Sequence, residues 1–270
     1  MEHLHQHPLP ETPFRHSLAI QMRVIGALIM REVITRYGRH NIGFLWLFLE
    51  PMLFTLGITT LWTLIKATHG TNLPITAFAV TGYSTLLLWR NCSNRAVKAI
   101  EVNLALMYHR NVRVFDLLAA RLILEIVGAT GSVIVLTTVF TALGWMDAPA
   151  DILTAIIGWV LLAWFAFALS LIVGAVSERS EVVERVWHVI TYLMFPLSGA
   201  AFMVNWLPTA WQGLILWVPM VHGTEMLRHG YFGSAVHTHE DPFYLIVVNS
   251  VMLLLGLALI RETGRRVEPE

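Results

Sequence analysis

Six stretches of this chain, residues 43–65, 73–89, 117–143, 152–176, 186–204 and 243–260, are almost continuously apolar, and polar segments separate them. A bilayer hydrocarbon core about 30 Å thick takes roughly 20 helical residues to cross, and a helix satisfies its backbone amides internally. The pattern predicts an all-α integral membrane protein with six transmembrane helices. The second stretch is short and runs straight into Arg90, Asn91 and Cys92, so its helix is expected to continue past the bilayer surface.

Two other segments carry a different pattern. From Ser17 to Tyr37 the apolar residues Leu18, Met22, Ile25, Ile29, Val33 and Tyr37 recur at steps of three and four, with Arg23, Arg31 and Glu32 elsewhere on the wheel. This predicts an N-terminal interfacial helix. Crossing is disfavoured, because Gln21 and Arg23 would enter hydrocarbon without a partner. Between the fifth and sixth stretches, residues 205–242 are too apolar for a simple loop. Ten residues separate Pro208 from Pro219, about 15 Å of helix, which reaches half way through the core. A re-entrant hairpin fits this length and would be a candidate outer gate. An interfacial anchor built on Trp206, Trp211 and Trp217 fits it too. The chain thus divides into a cytoplasmic tail and interfacial helix (1–42), a six-span domain (43–260) and a second cytoplasmic tail (261–270).

Composition agrees with a lipid solvent: 56% of residues are apolar and 13% charged, against about 25% charged in a soluble domain. Lysine plus arginine and aspartate plus glutamate both number 18, so no excess charge is available for nucleic acid. The single cysteine, Cys92, excludes a disulfide framework. Neither lysine, Lys66 or Lys98, lies in a phosphate-binding loop, so nucleotide energy must come from another chain. With the N-terminus inside, fifteen of the 18 basic residues fall on the cytoplasmic side, which places both termini there. The first sixteen residues lack the apolar run of a signal peptide. His3, His5 and His7 are read as tail rather than metal ligands, and no metal is expected.

Charged groups inside spans are expensive, so each needs a role. Arg121 and Glu125 are four residues apart and can pair along one helix face. Glu50 precedes Pro51 in the first span and suits a kink-locking or subunit contact. His188 reads as a hydrogen-bonded core histidine. There is no Gly-x-Ser-x-Gly elbow and no His-Glu-x-x-His pair, so catalysis by this chain is weakly supported. The outer acids Asp147, Asp151, Glu225, Glu240 and Asp241 read as loop solvation and capping. Tyr83, Trp89, Trp159, Trp164 and Trp187 could line a sugar path, since ring faces pack on sugar C–H faces; core or lipid-facing packing explains them as well. Arg36, Arg39, Arg90 and Arg95 flank the cytoplasmic mouth and could gather an acidic polymer, although positive-inside bias also accounts for them.

Residues 30–39, Met-Arg-Glu-Val-Ile-Thr-Arg-Tyr-Gly-Arg, lead into Gly43-Phe44-Leu45-Trp46 and then Glu50-Pro51. Together with residues 103–116 and with Pro219, His222, Glu225 and Arg228, this order resembles the polysaccharide-export permeases of ABC transporters, nearest the capsular polysaccharide group. The resemblance implies a homodimer working with two copies of a separate ATPase subunit, which binds the ATP and magnesium; this chain itself would hold no cofactor. It implies a lipid-linked acidic polysaccharide as cargo, export across a bacterial inner membrane, and a periplasm-spanning export protein as a further partner. It also implies a coupling segment at Tyr108, His109, Arg110, Asn111, Arg113 and Asp116, and an outer gate at Trp206, Pro208, Trp211, Trp217, Pro219, Glu225 and Arg228. Val218 departs from the pattern, since many relatives have a polar residue there. Export of another lipid-linked glycan or bulky hydrophobic molecule, and a haem-handling protein or transferase, stand as alternatives.

Overall fold

The computed structural model describes residues 14–37, 41–65, 73–107 and 112–267, and among these there is helix and no strand. The helices are α1 (Phe14–Tyr37), α2 (Asn41–Leu64), α3 (Ile75–Ala96), α4 (Leu104–Met107), α5 (Val114–Ala142), α6 (Ile152–Ser177), α7 (Glu181–Met194), α8 (Thr209–Ile215), α9 (Pro219–Phe232) and α10 (Pro242–Val267).

Four segments are long and apolar enough to cross a bilayer: Leu45–Leu64 in α2, Val114–Ala142, Ile152–Ser177 and Pro242–Arg266. They match the first, third, fourth and sixth apolar stretches. The second stretch becomes α3, whose 22 residues continue past Trp89 to Ala96. Every residue from Ala77 to Trp89 is buried. Thr81 and Thr85 send their hydroxyls back to carbonyls of their own helix, which lets α3 run through the centre of the fold between α2, α5 and α6.

The fifth stretch differs from the uninterrupted helix expected over residues 186–204. Helix α7 starts earlier, at Glu181, and stops at Met194. One 3₁₀ turn follows at Phe195–Leu197, and residues 198–203 are non-helical. Pro196 has no N–H to donate and its ring crowds the preceding turn, and Gly199 then takes a left-handed φ of 77° that a side chain would resist. Six complete crossings are therefore not drawn by single helices.

Helix α6 begins where Asp151 caps it. The Asp151 carboxylate accepts from the Leu153 and Thr154 N–H groups at 3.0 and 3.3 Å, and these bonds, led by the one from the Thr154 hydroxyl, hold its pKa below the ordinary value. Along α6, Ala155, Gly158 and Leu162 meet Gly230, Leu227 and Gly223 in that order, so α9 runs antiparallel to it. The approach is close: a Cβ on Gly158 would lie 2.7 Å from the Leu227 nitrogen. Helix α10 runs parallel to α6, with the Asn249 amide donating to the Leu161 carbonyl at 2.9 Å and Arg179 reaching Thr263 at 3.2 Å.

Helix α1 lies against α5. Ile25 and Leu28 are buried, whereas Leu18 and Met22, expected on the same apolar stripe, are exposed.

Candidate functional site

Arg228 is the largest fully buried side chain among the described residues. Its Nη1 donates to the carbonyls of Gly199 and Phe202, both at 2.6 Å, and its Nη2 to that of Ala200 at 2.7 Å. These carbonyls belong to the non-helical segment after Pro196, so α9 supplies the donors that the break in the fifth stretch removes. The guanidinium also lies 3.9 Å from the Phe78 ring centroid, and Trp206 stacks on the same Phe78 ring with centroids 4.9 Å apart. Gly82 makes the approach possible: a Cβ there would sit 2.6 Å from Arg228 Nη2.

Glu225, one turn earlier, is buried rather than solvating a loop. Its two oxygens accept from the backbone N–H groups of Val204 (3.3 Å) and His239 (3.2 Å). His222 Nδ1 accepts from the Asp241 N–H at 2.9 Å, which leaves Nε2 as the donor to the Leu216 carbonyl at 2.7 Å. One neutral ring thereby bridges the α8–α9 turn and the start of α10. The loop between α9 and α10 is tied by His229 against Glu240. Burial pushes the Glu240 carboxyl up, but hydrogen bonds from Thr238 and His229 outweigh it and leave its pKa below the ordinary value. Of the other expected gate residues, Pro208 caps α8 and Pro219 opens α9, while Trp211 and Trp217 are exposed. The structure thus gathers Trp206, Pro219, Glu225 and Arg228 with Phe78 and Gly82 of α3, two residues that sequence reasoning missed because nothing local marks them.

The expected Arg121–Glu125 pair is not made. Arg121 turns to Glu32 of α1 at 3.0 Å, and Glu125 pairs with Arg36 and, at 3.3 Å, with Arg95. Arg36 also holds Glu50 at 3.0 Å. The reason is reach: α1 lays Glu32 and Arg36 along α5, and two interhelical pairs replace one intrahelical pair. Arg36 and Arg95 are therefore engaged with acids of the same chain. Arg90 lies 4.4 Å from the Tyr192 ring centroid, and its buried Nε has no hydrogen-bond partner among the described residues.

Tyr83, Trp89 and Trp159 are buried within the chain. Tyr83 packs among Trp62, Phe195 and Phe54, and the Trp159 indole donates to Thr130 Oγ1 at 3.0 Å. Trp164 packs against Leu161, Met226 and Leu245. His188 lies on an exposed face of α7, not in the core as expected, because α7 buries only Thr191. Asp116 accepts from Gln21 of α1 at 3.0 Å and from the Arg113 N–H at 3.1 Å, which fixes the start of α5. Arg39, Tyr108, His109, Arg110 and Asn111 lie outside the described residues, as do Lys66 and the histidines at positions 3, 5 and 7. No group of three or more metal-ligating side chains gathers among the described residues.

The family model for ABC-2 type transporters matches residues 23–232. The capsule polysaccharide export inner-membrane protein CtrC of Neisseria meningitidis serogroup B is 51% identical over 262 residues, 97% of this chain and 99% of the relative. The capsule polysaccharide export inner-membrane protein BexB of Haemophilus influenzae is 48% identical over 260 residues, 96% of this chain and 98% of the relative. The polysialic acid transport protein KpsM of Escherichia coli is 27% identical over 247 residues, 92% of this chain and 96% of the relative. The matched region runs from α1 through the buried Arg228 and ends with α9, and this chain belongs to the ABC-2 type transporter membrane family.

Proposed function

We propose that this chain is the permease subunit of an ATP-driven exporter that moves a lipid-linked, acidic capsular polysaccharide across the bacterial inner membrane. The observation that carries the proposal is near-full-length identity of about half to inner-membrane proteins of capsule polysaccharide export. The sequence holds no phosphate-binding loop, so the ATP and magnesium belong to two copies of a separate ATPase subunit. The segment from Tyr108 to Asp116 docks on that subunit. A second copy of this chain supplies the other wall of the path, because six helices are few to enclose a hydrated polymer. The chain crosses the membrane six times, with both termini cytoplasmic. The crossings at α3 and α7 are the polar ones, and α8 with α9 forms a re-entrant outer gate locked by Arg228. Arg90, Tyr192 and the exposed face of α7 border the path, and Arg39 gathers the polymer at its inner mouth, where Arg36 and Arg95 are held by Glu50 and Glu125. Tyr83, Trp89, Trp159 and Trp164 shape the wall behind that face.

The test is complementation of a capsulate strain deleted for its own permease. Polymer on the surface after expression of this chain is the expected result. Polymer accumulating inside, with none outside, in cells whose membranes contain this chain and its cognate ATPase would refute the assignment.

A further inference from the structure

We propose that the cleft between the first turn of α5 and the last turns of α10 binds the phosphate headgroup of an anionic phospholipid. The cleft encloses about 370 Å³. Arg113, Arg261 and Arg265 bring three guanidiniums to it, and Phe115, Leu257 and Ile260 supply its apolar wall.

The charges in this cleft lack a counter-ion within the described chain. Among the described residues no acidic side chain comes within 4 Å of the guanidinium of Arg113, Arg261 or Arg265. The nearby acids are committed elsewhere. Asp116 takes the Gln21 amide and the Arg113 N–H, and Glu262 on the same helix is held by Arg179 at 3.2 Å and Arg266 at 2.6 Å. Arg261 and Arg265 are four residues apart on one helix face, a spacing at which like charges repel. An anion relieves that repulsion. The guanidinium fork matches the paired oxygens of a phosphate.

The apolar wall selects the source of that phosphate. Leu257 lies on the same face of α10 as Arg261 and Arg265, one and two turns before them, so it sits roughly 6 to 12 Å nearer the middle of the helix. The order along α10 is hydrocarbon first and guanidinium at the end, which is the order of acyl chain and headgroup in a leaflet. Free phosphate has no use for Phe115, Leu257 and Ile260, whereas a phospholipid fills both halves. Basic pockets between transmembrane helices at the cytoplasmic surface hold anionic headgroups in this way. The inference rests on α5 and α10 lying in a bilayer with the end of α10 at its cytoplasmic surface, as assigned above; it does not depend on the cargo.

The experiment is native mass spectrometry of the purified full-length chain titrated with phosphatidylglycerol and with phosphatidylethanolamine of the same acyl composition. Phosphatidylglycerol should be retained about tenfold more tightly. Arg261→Gln with Arg265→Gln should abolish that preference, and Arg185→Gln, at an exposed arginine of α7, should preserve it. Arg261→Lys with Arg265→Lys, which keeps the charge and loses the fork, should weaken it severalfold, so a poorly folded glutamine pair does not decide the matter alone. Millimolar inorganic phosphate should leave the adduct in place. Equal retention of the two lipids, an unchanged preference in the lysine or glutamine pair, or displacement by inorganic phosphate would each overturn the proposal. Unchanged lipid preference with loss of the ATPase on co-purification would assign the cleft to that protein instead.

Discussion

Glu125 takes its counter-charge from Arg36, 89 residues away in the chain, and not from Arg121 one turn away on its own helix. Arg36 holds Glu50 of α2 with its other terminal nitrogen, so one guanidinium ties α1 to two apolar helices. Arg31 donating to Asn103 at 2.9 Å and Gln21 to Asp116 at 3.0 Å extend the same attachment to the segment between α3 and α5. Side-chain contacts thus join α1 to α2, to the start of α5 and to the turn that holds Asn103.

Removing Arg36 leaves Glu125, which is 9% exposed, with Arg95 as its remaining partner. Breaking one side of a buried pair typically costs about 3–5 kcal/mol, and the residual arginine puts Arg36→Gln near the lower end. The single variant should melt several degrees earlier in detergent. Arg36→Gln with Glu125→Gln should recover much of the loss, since the stranded charge is gone; thermal unfolding of the three proteins side by side checks this.

Gly82→Ala and Arg228→Met should act as one lesion. The added methyl occupies the place of the guanidinium, and the methionine removes it. Either way the carbonyls of Gly199, Ala200 and Phe202 lose their donors, at about 1–3 kcal/mol for each group left buried and unpaired. The double variant should lose little more stability than Arg228→Met alone, because neighbouring sites that share a partner are not additive. Additive losses would separate the two residues.

Periodicity and length carried much of the fold. The stretches 117–143, 152–176 and 243–260 match α5, α6 and the apolar part of α10 to within a few residues, because a bilayer imposes its thickness on the sequence as a run of apolar residues. The break after Met194 was not legible in the same way. It needs Pro196 together with a donor from Arg228, and the apolar pattern alone continues through it. The candidate site shows the same division. Glu225 and Arg228 entered through the family resemblance, since the residues alone read Glu225 as loop solvation, and Trp206 was one of three tryptophans in an apolar segment, while Phe78 and Gly82 look like ordinary members of an apolar helix. Pairing was the least legible feature: Arg121 and Glu125 satisfy the spacing rule for a helix pair, and only the placement of α1 diverts them.

Orientation can be tested, although not at Cys92, which is fully buried in α3 and should resist maleimide in the folded protein. In a Cys92→Ala background, Trp145→Cys reports the α5–α6 connection, where the native side chain is 58% exposed. Arg185→Cys reports the start of α7, where the arginine side chain is 78% exposed. An impermeant maleimide should label the first in intact spheroplasts and the second only after lysis. The reverse pattern would invert the topology.

The path itself is best tested at Arg90 and Tyr192. The guanidinium sits 4.4 Å from the ring centroid, a geometry worth about 0.5 to 2 kcal/mol according to how dry it is. Helix α7 contributes Tyr192 from its exposed side. An acidic sugar passing α7 would meet the charge of the arginine and the edge of the ring together. Tyr192→Phe keeps the ring face and should export near the parental level. Tyr192→Leu removes the platform, and Arg90→Glu places a like charge against an acidic polymer; both should lower surface polysaccharide and raise the intracellular pool. Arg185→Glu, on the same helix, controls for general charge at the start of α7 and should have the smaller effect. Measuring surface and intracellular polymer in one deletion strain, with permease abundance in the membrane fixed by immunoblot, distinguishes a blocked path from a missing protein. Parental export by both Arg90→Glu and Tyr192→Leu would remove α7 from the path and turn the search toward the exposed face of α2.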